Sequence, residues 1–324
     1  MNTPIRWGIL GAAAFARNQM GPAIHAARGA ELAALATSDP ARAAPFAAFA
    51  PGLRVHEGYD ALLADPGIDA VYIPLPNHLH AQWTEKALAA GKPVLTEKPV
   101  GMDVAEIDRL IAARDASGLL AAEAYMIVHH PQWQRARALI ADGAIGEVLH
   151  VDGAFSYDNR DPANIRNRKE TGGGGLRDIG VYPIGAARYV LGADLTEVTG
   201  ILRWENGVDT HVEAGARIGQ TRFTFRVSTR QSLWQEMTFH GATGLLRLSA
   251  PFNAGEFGPA EVHLLRPSRE RIVESFTADR QYVLQVEAFG RAMAGAEAFP
   301  VPLEFSRGTQ AAIDGLFAAS PDPG

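Results

Sequence analysis

The sequence predicts an α/β chain: a doubly wound unit on a parallel sheet, followed by an α+β unit with a large, mostly antiparallel open sheet. Three observations carry this. The chain has 324 residues, and at ~150 residues per domain that length implies two domains. The first 125 residues alternate short apolar runs with helical patterns, as βαβ units on a parallel sheet do. Beyond about residue 145 the apolar residues recur at every second position, the pattern of a sheet with one buried face.

Taken in order, apolar runs at 5–10, 32–36, 70–74, 94–96 and 119–122 read as strands, with a shorter one at Val55. Helical patterns occupy 14–27, 41–50, 81–90 and 104–116. Asp39 and Asp103 stand at the N-cap of two of these, and Pro40 takes the first helical position after Asp39. In the second half, Arg222-Phe223-Thr224-Phe225-Arg226-Val227-Ser228 alternates strictly, and Leu246/Leu248 and Val262/Leu264 repeat the pattern. No internal repeat or low-complexity linker separates the halves. The expected domains are therefore 1–125 and 126–324, sharing an interface.

Composition narrows the function. The hydrophobic fraction is 47% with 20% charged residues, ordinary for a globular protein, and no apolar run reaches the ~18 residues of a membrane span. There are no cysteines, which excludes disulfides, thiolate metal sites and cysteine nucleophiles and fits a reducing compartment. The N-terminal residues lack the signature of a signal peptide, so a cytoplasmic location is expected. A formal charge of −6 argues against a general nucleic-acid surface. The basic stretch at Arg160, Arg166, Arg168 and Lys169 is either a solvated loop face or part of a ligand site.

The first strand runs into Gly8-Ile9-Leu10-Gly11-Ala12-Ala13-Ala14-Phe15-Ala16. In a dinucleotide fingerprint three glycines serve a tight turn, close approach of the pyrophosphate and helix-on-strand packing. Gly11 takes the first role, and the small residues Ala13 and Ala16 take the others. The N–H groups of Ala14 and Phe15 at the helix start would face the anion. This reads as a Rossmann NAD(P)-binding domain; a generic strand–helix turn is the alternative. An NAD site usually ends the second strand in an acid that binds the ribose 2′-OH. Here the tip is Thr37-Ser38-Asp39-Pro40-Ala41-Arg42, and hydroxyls with a guanidinium suit a 2′-phosphate. NADP is the expected cofactor, with NAD possible.

A further strand ends in Pro74-Leu75-Pro76-Asn77-His78-Leu79-His80. Pro76, Asn77 and His80 are expected to line the cofactor. No cysteine or further His/carboxylate pattern completes a metal site, so no metal is expected. The run Pro93-Val94-Leu95-Thr96-Glu97-Lys98-Pro99 ends a strand in an acid, a lysine and a proline. Ligands of parallel sheets bind beyond the carboxyl ends of the strands, which points Glu97 and Lys98 at that crevice; a surface lysine is the bland alternative. Far downstream, four glycines at 172–175 lead into Leu176-Arg177-Asp178-Ile179-Gly180-Val181-Tyr182. No packed element requires such a run, so it is read as backbone passing close to nicotinamide or substrate, with a flexible hinge as the alternative.

Together these segments resemble the glucose-fructose oxidoreductase / inositol dehydrogenase (Gfo/Idh/MocA) family over nearly the whole chain. The carrying residues are Gly11 to Ala16, Pro76-Asn77, Glu97-Lys98-Pro99, and the glycine run with Asp178 and Tyr182. Tyrosine at 182, where many members carry histidine, resembles the branch of glucose-fructose oxidoreductase, dimeric dihydrodiol dehydrogenase and NADP-linked xylose dehydrogenase. So do Glu123-Ala124-Tyr125, His130-Pro131-Gln132-Trp133 and Asp161-Pro162 with Asn164-Ile165-Arg166. The resemblance implies an NAD(P)-dependent oxidoreductase acting on a sugar or related polyol or diol, assembled as a homodimer or homotetramer. It implies Tyr182 as acid/base and Asp178 orienting the substrate or Lys98. Tyr157 and Arg166 join them in the substrate pocket.

The chemistry is consistent with those residue types. Oxidising a CH–OH group removes a proton as hydride leaves for the nicotinamide, and the protein supplies proton transfer and positioning. A phenol has an unperturbed pKa of about 10, and a nearby ammonium such as that of Lys98 favours its phenolate. The competing reading is a nucleotide-sensing regulatory protein without catalysis, for which Lys98, Asp178 and Tyr182 would have no use. A serine hydrolase is disfavoured because no Gly-x-Ser-x-Gly elbow occurs.

Overall fold

The computed structural model describes residues 3–323. The chain forms two compact units: one takes the chain up to His129 together with Arg280–Ser306, the other His130–Asp279 and the segment from Arg307 onward.

The first unit is built on six strands, β1 (Ile5–Leu10), β2 (Ala30–Ala36), β3 (Arg54–His56), β4 (Ala70–Ile73), β5 (Val94–Thr96) and β6 (Ala121–Glu123). They pair in the order β3-β2-β1-β4-β5-β6, every pair parallel. The order reverses beside β1, the topological switch point where such sheets bind ligands. All of β4 and β5 is buried, as their unbroken apolar runs require. The helices are α1 (Gly21–Ala26), α2 (Tyr59–Leu63), α3 (His80–Ala89) and α4 (Val104–Ser117). Asp103 caps α4 by accepting the N–H of Glu106 at 2.8 Å.

Two expected helices are modified by proline. The pattern at 14–27 divides into a π-helical turn at Ala16–Met20 and α1, because Pro22 has no N–H to offer the preceding turn. The pattern at 41–50 is a 3₁₀ helix, Pro40–Ala48, with Pro45 inside it.

The domain boundary differs from the sequence expectation in one respect that matters. Residues 280–306 belong to the first unit, not the second. Trp7 is fully buried and its ring lies 5.0 Å from that of Phe289, while Phe15 meets Tyr282 edge-on at 5.6 Å. Arg28 pairs with Glu287 at 3.1 Å. The helix Gln281–Met293, carrying Tyr282, Glu287 and Phe289, thus covers apolar surface that the first 129 residues leave open.

The second unit holds eight strands: β7 (Val148–Asp158), β8 (Leu195–Glu205), β9 (Val208–Ile218), β10 (Thr221–Ser228), β11 (Arg230–Gly241), β12 (Gly244–Leu248), β13 (Ala260–Leu265) and β14 (Arg271–Phe276). Their order is β14-β13-β12-β11-β7-β10-β9-β8. Only β7 and β10 pair in parallel; the rest are antiparallel. In β10 Phe223, Phe225 and Val227 are buried while Arg222, Thr224 and Arg226 are exposed, so the alternation reports one covered face. Among the described residues no helix is long and apolar enough to cross a membrane.

Candidate active site

Gly11 ends β1 with φ at 104°, a conformation open to glycine. A Cβ there would lie 2.9 Å from a Leu75 methyl. Ala12 and Ala13 are half-buried, Ala14 is exposed, and Phe15 is anchored by Tyr282. The fingerprint turn is therefore a small-residue surface braced from behind. Arg42 is exposed, and its Nη2 donates to the carbonyl of Ala12 at 3.0 Å. The tip of β2 and the turn after β1 are brought together by that bond. Ser38 is exposed beside it. Thr37 departs from the expectation of a cofactor hydroxyl: it is 3% exposed, and its Oγ1 bonds both the N–H and the carbonyl of Asp39 at 3.2 Å. Thr37 shapes the turn that presents Ser38 and Arg42.

His80 also departs from its expected role. It is 1% exposed, with Nδ1 2.7 Å from the Pro99 carbonyl and Nε2 2.7 Å from the Leu75 carbonyl. Buried with both ring nitrogens against backbone, it ties the loop after β4 to the loop after β5 and has no edge left for a ligand. Burial pushes its pKa down to about 4. A neutral imidazole donates from one nitrogen only, so one of these two short approaches lacks its hydrogen. Pro76 and Asn77 keep partial exposure at the end of that loop, and no three His, Asp or Glu side chains converge as a metal-holding group among the described residues.

The turn after β5 carries Glu97 and Lys98, and the Lys98–Pro99 bond is cis. Tyr72, on β4 and fully buried, donates its hydroxyl to Glu97 Oε1 at 2.5 Å. Desolvation pushes the Glu97 carboxyl up to about 7, against the pull of Tyr72 and Lys98. Glu97 thus supports this turn through Tyr72, and both it and Lys98 keep partial exposure. Tyr72 was missed by the sequence reading, because a tyrosine within an apolar strand looks like core.

In the second unit the glycines at 172–175 pack against protein. A Cβ on Gly173 would strike the Arg166 carbonyl, and one on Gly174, at φ 116°, would strike the Asp209 carboxylate. The run is required by that packing, which corrects the reading of a ligand-facing loop or a hinge. The turn leads into a π-helical segment, Leu176–Gly180, and then a helix, Val181–Leu191, in the second unit. Asp178 is 9% exposed; its carboxylate accepts from the Tyr157 hydroxyl at 2.5 Å and from Arg166 Nε at 3.0 Å. Three candidates from three separate segments therefore converge. Asp178 holds the Arg166 guanidinium further up in pKa, while burial and then Asp178 push the Tyr157 phenol up. Tyr182 is 7% exposed, its ring 5.6 Å from Phe155 and 5.5 Å from Phe252.

Comparison with known proteins fits this geometry. Residues 5–125 match an oxidoreductase family with an NAD-binding Rossmann fold, and residues 133–247 match the GFO/IDH/MocA C-terminal domain. A dTDP-3,4-didehydro-2,6-dideoxy-α-D-glucose 3-reductase of Actinomadura kijaniata is 36% identical over 308 residues, 91% of this chain and 89% of the relative. This chain belongs to the Gfo/Idh/MocA oxidoreductase family. A further relative, an NADP-dependent D-xylose 1-dehydrogenase of Haloferax volcanii, is 32% identical over 97% of both chains. The crystal structure of a 3-ketoreductase from Actinomadura kijaniata with NADP and TDP-benzene superposes with a TM-score of 0.91 at 33% identity, covering 98% of each chain. As a member of this family the chain is an NAD(P)-dependent oxidoreductase, and its named relatives act on sugars.

The raised Glu97 carboxyl has a thermodynamic consequence. Between its ordinary value of 4.5 and about 7 the folded protein holds a proton that the unfolded chain releases. Stability therefore declines as pH rises through that window. Urea midpoints measured across it are expected to fall in the wild type relative to Glu97→Gln, and then to run level above it. Parallel curves for the two proteins would show that Glu97 titrates normally.

Proposed function

We propose that this protein is an NADP-dependent oxidoreductase that moves hydride between the nicotinamide and a sugar or related polyol, with Tyr182 carrying the proton. The carrying observation is the clamp Tyr157–Asp178–Arg166 at the start of the segment that bears Tyr182. Tyr157 is held protonated by burial and by Asp178, so it serves as a fixed hydrogen-bond donor, and the proton-carrying role is assigned to Tyr182. Asp178 and Arg166, paired at 3.0 Å, offer an acceptor and a planar donor for orienting sugar hydroxyls.

The residues of the first unit fit a dinucleotide. Gly11 takes a positive φ at the end of β1, Ala12 to Ala14 retain exposed surface, and the strand order reverses beside β1. The turn at 11–15, with Pro76, Asn77 and Glu97-Lys98, would hold the cofactor, and Ser38 and Arg42 would take a 2′-phosphate. When bound, the nicotinamide supplies the hydride acceptor or donor. Tyr182 accepts the hydroxyl proton as the alcohol carbon loses hydride, and returns it when a carbonyl is reduced. Lys98 supplies the positive charge that favours the phenolate. Its relatives work in both directions by name, as 3-reductases and as a 1-dehydrogenase. The solved ketoreductase has also been studied as lysine and tyrosine variants.

Tyr182→Phe removes one hydroxyl, so folding and NADP binding are expected to survive while turnover falls ~10²–10⁴-fold, the usual contribution of a general acid–base group. Lys98→Met is expected to be at least as severe, and the double variant little worse than the more damaging single one if the two act together. Assay with NADP and NADPH against free aldoses and nucleotide-linked keto sugars reads both the direction and the substrate class. Near-normal turnover of Tyr182→Phe would remove Tyr182 from the chemistry.

The cofactor assignment has its own test. A charge-assisted bond contributes ~1.5–3 kcal/mol, so Arg42→Ala should weaken NADP roughly ten- to a hundred-fold and leave NAD nearly unchanged. Equal effects on the two cofactors would contradict a 2′-phosphate site.

A second copy of this chain is the proposed partner of the open sheet face. Ile201 (69%), Trp234 (43%) and Val273 (44%) are exposed, and the pairing registers put them on the same face as Thr224 and Arg226. A stable pair would bury at least ~1,200 Å². Light scattering is expected to report a dimer or tetramer at micromolar concentration; a monomer would refute this.

A further inference from the structure

The glycine run and the single acid packed against it carry a role that the proton chemistry alone does not include. Asp209 lies near the start of β9 and is 1% exposed. Its Oδ2 accepts the backbone N–H of Leu176 at 2.7 Å; burial pushes its carboxyl up to about 6, against the N–H groups of Leu176, Gly175 and Asp209 itself. The turn around it is fixed from the other side as well. Gly173 N–H donates to the Arg168 carbonyl and Gly174 N–H to the Arg166 carbonyl, both at 3.0 Å. The N–H of Asp178 then closes on the Gly174 carbonyl at 3.1 Å. Gly174 has no room for a side chain because the Asp209 carboxylate occupies it.

We propose that Asp209 is a positioning residue for Tyr182: its carboxylate seats the turn at 172–175 and so sets where the following helical segment places Asp178 and the phenol. The inference rests on the reading of Tyr182 as the proton carrier. Leu176, whose N–H Asp209 holds, opens the segment, and Tyr182 follows six residues later on continuous helical backbone. A shift at its first turn is transmitted along it, because a helix moves as a rigid element. Stability alone does not explain the choice of residue. A buried carboxylate bears a large desolvation penalty, and an apolar side chain of similar size is often neutral or better. A charge that accepts several N–H groups at once holds a tight backbone turn in one geometry, as no apolar group can.

The test uses Asp209→Asn and Asp209→Ala, each in the wild-type and Tyr182→Phe backgrounds, at a temperature where melting curves show every variant folded. The amide keeps size and one acceptor, so Asp209→Asn answers the question even if Asp209→Ala does not fold. In the wild-type background kcat is expected to fall about ten- to a hundred-fold, as a ~1 Å misplacement does, with KM for NADP unchanged. In the Tyr182→Phe background the same substitution should change kcat by less than about twofold, because groups that act as a unit are not additive. An unchanged kcat for folded Asp209→Asn, while Tyr182→Phe is impaired, would overturn this inference and leave the proposed function standing. An equal loss in both backgrounds would show a general structural role and overturn it too. Normal turnover of Tyr182→Phe itself would instead end the reading of Tyr182 on which this inference depends.

Discussion

A parallel sheet buried on both faces needs cover on both, and that constraint governs the first unit. The strands β4 and β5 expose nothing, and Trp7 on β1 is buried to the last atom. One side is closed locally: Leu62, Leu88, Ile107 and Leu110, from the helices that follow successive strands, share a core with Val71, Ile73 and Val94. The other side is closed by Phe289 against Trp7 and Tyr282 against Phe15, from residues that return after the whole second sheet has been made. The same return segment supplies Ser306, whose hydroxyl donates to buried Glu123 at 2.8 Å. This closure packs the sheet whose strand ends carry Gly11 and Lys98 on both faces.

What was legible in the sequence is what depends on neighbours along the chain. The apolar runs marked β1, β4 and β5, strict alternation marked β10, and Asp103 marked the start of α4 through a reciprocal cap. In that cap Glu106 in turn accepts the N–H of Met102 at 2.8 Å. What was not legible depends on partners brought from elsewhere. Nothing near residue 280 says that the chain turns back to the first sheet. Nothing near Asp209 says that its partners lie at 172–176, and a His at a strand end looks the same whether it faces a ligand or two carbonyls. The convergence of Tyr157, Arg166 and Asp178 was foreseen only as candidate membership of one pocket; their mutual bonds come from the meeting of β7 with the loop and helix that follow it.

Glycine illustrates the same division. At Gly11 the requirement is local, a positive φ at the end of a strand, and the sequence context revealed it. At 173 and 174 the requirement is steric and remote, imposed by the Arg166 carbonyl and the Asp209 carboxylate. A glycine run in an enzyme invites the thought of a ligand or a hinge. Here the space that the missing side chains leave is already taken by the protein, and the run is evidence of tight packing.

The internal carboxylates show how partner type decides electrostatics. Asp178 faces a guanidinium and a phenol hydroxyl, and an ion pair of that kind compensates the loss of water. Glu97 leans chiefly on a neutral hydroxyl, with Lys98 as a weaker influence, and burial prevails: its carboxyl rises to about 7. Asp209 accepts backbone N–H groups and feels Arg177 at greater remove, and burial again prevails, to about 6. Neutral donors reduce the desolvation penalty without cancelling it. The two acids that support backbone turns thus keep their protons closer to neutral pH than free carboxylates do, whereas the acid beside Tyr157 has the Arg166 guanidinium 3.0 Å away. That ordering fits the division of labour in the proposed function. The carboxylate proposed to orient a substrate hydroxyl is the one with a cation beside it, and the carboxylates that hold loops are those whose partners are chiefly the loops themselves.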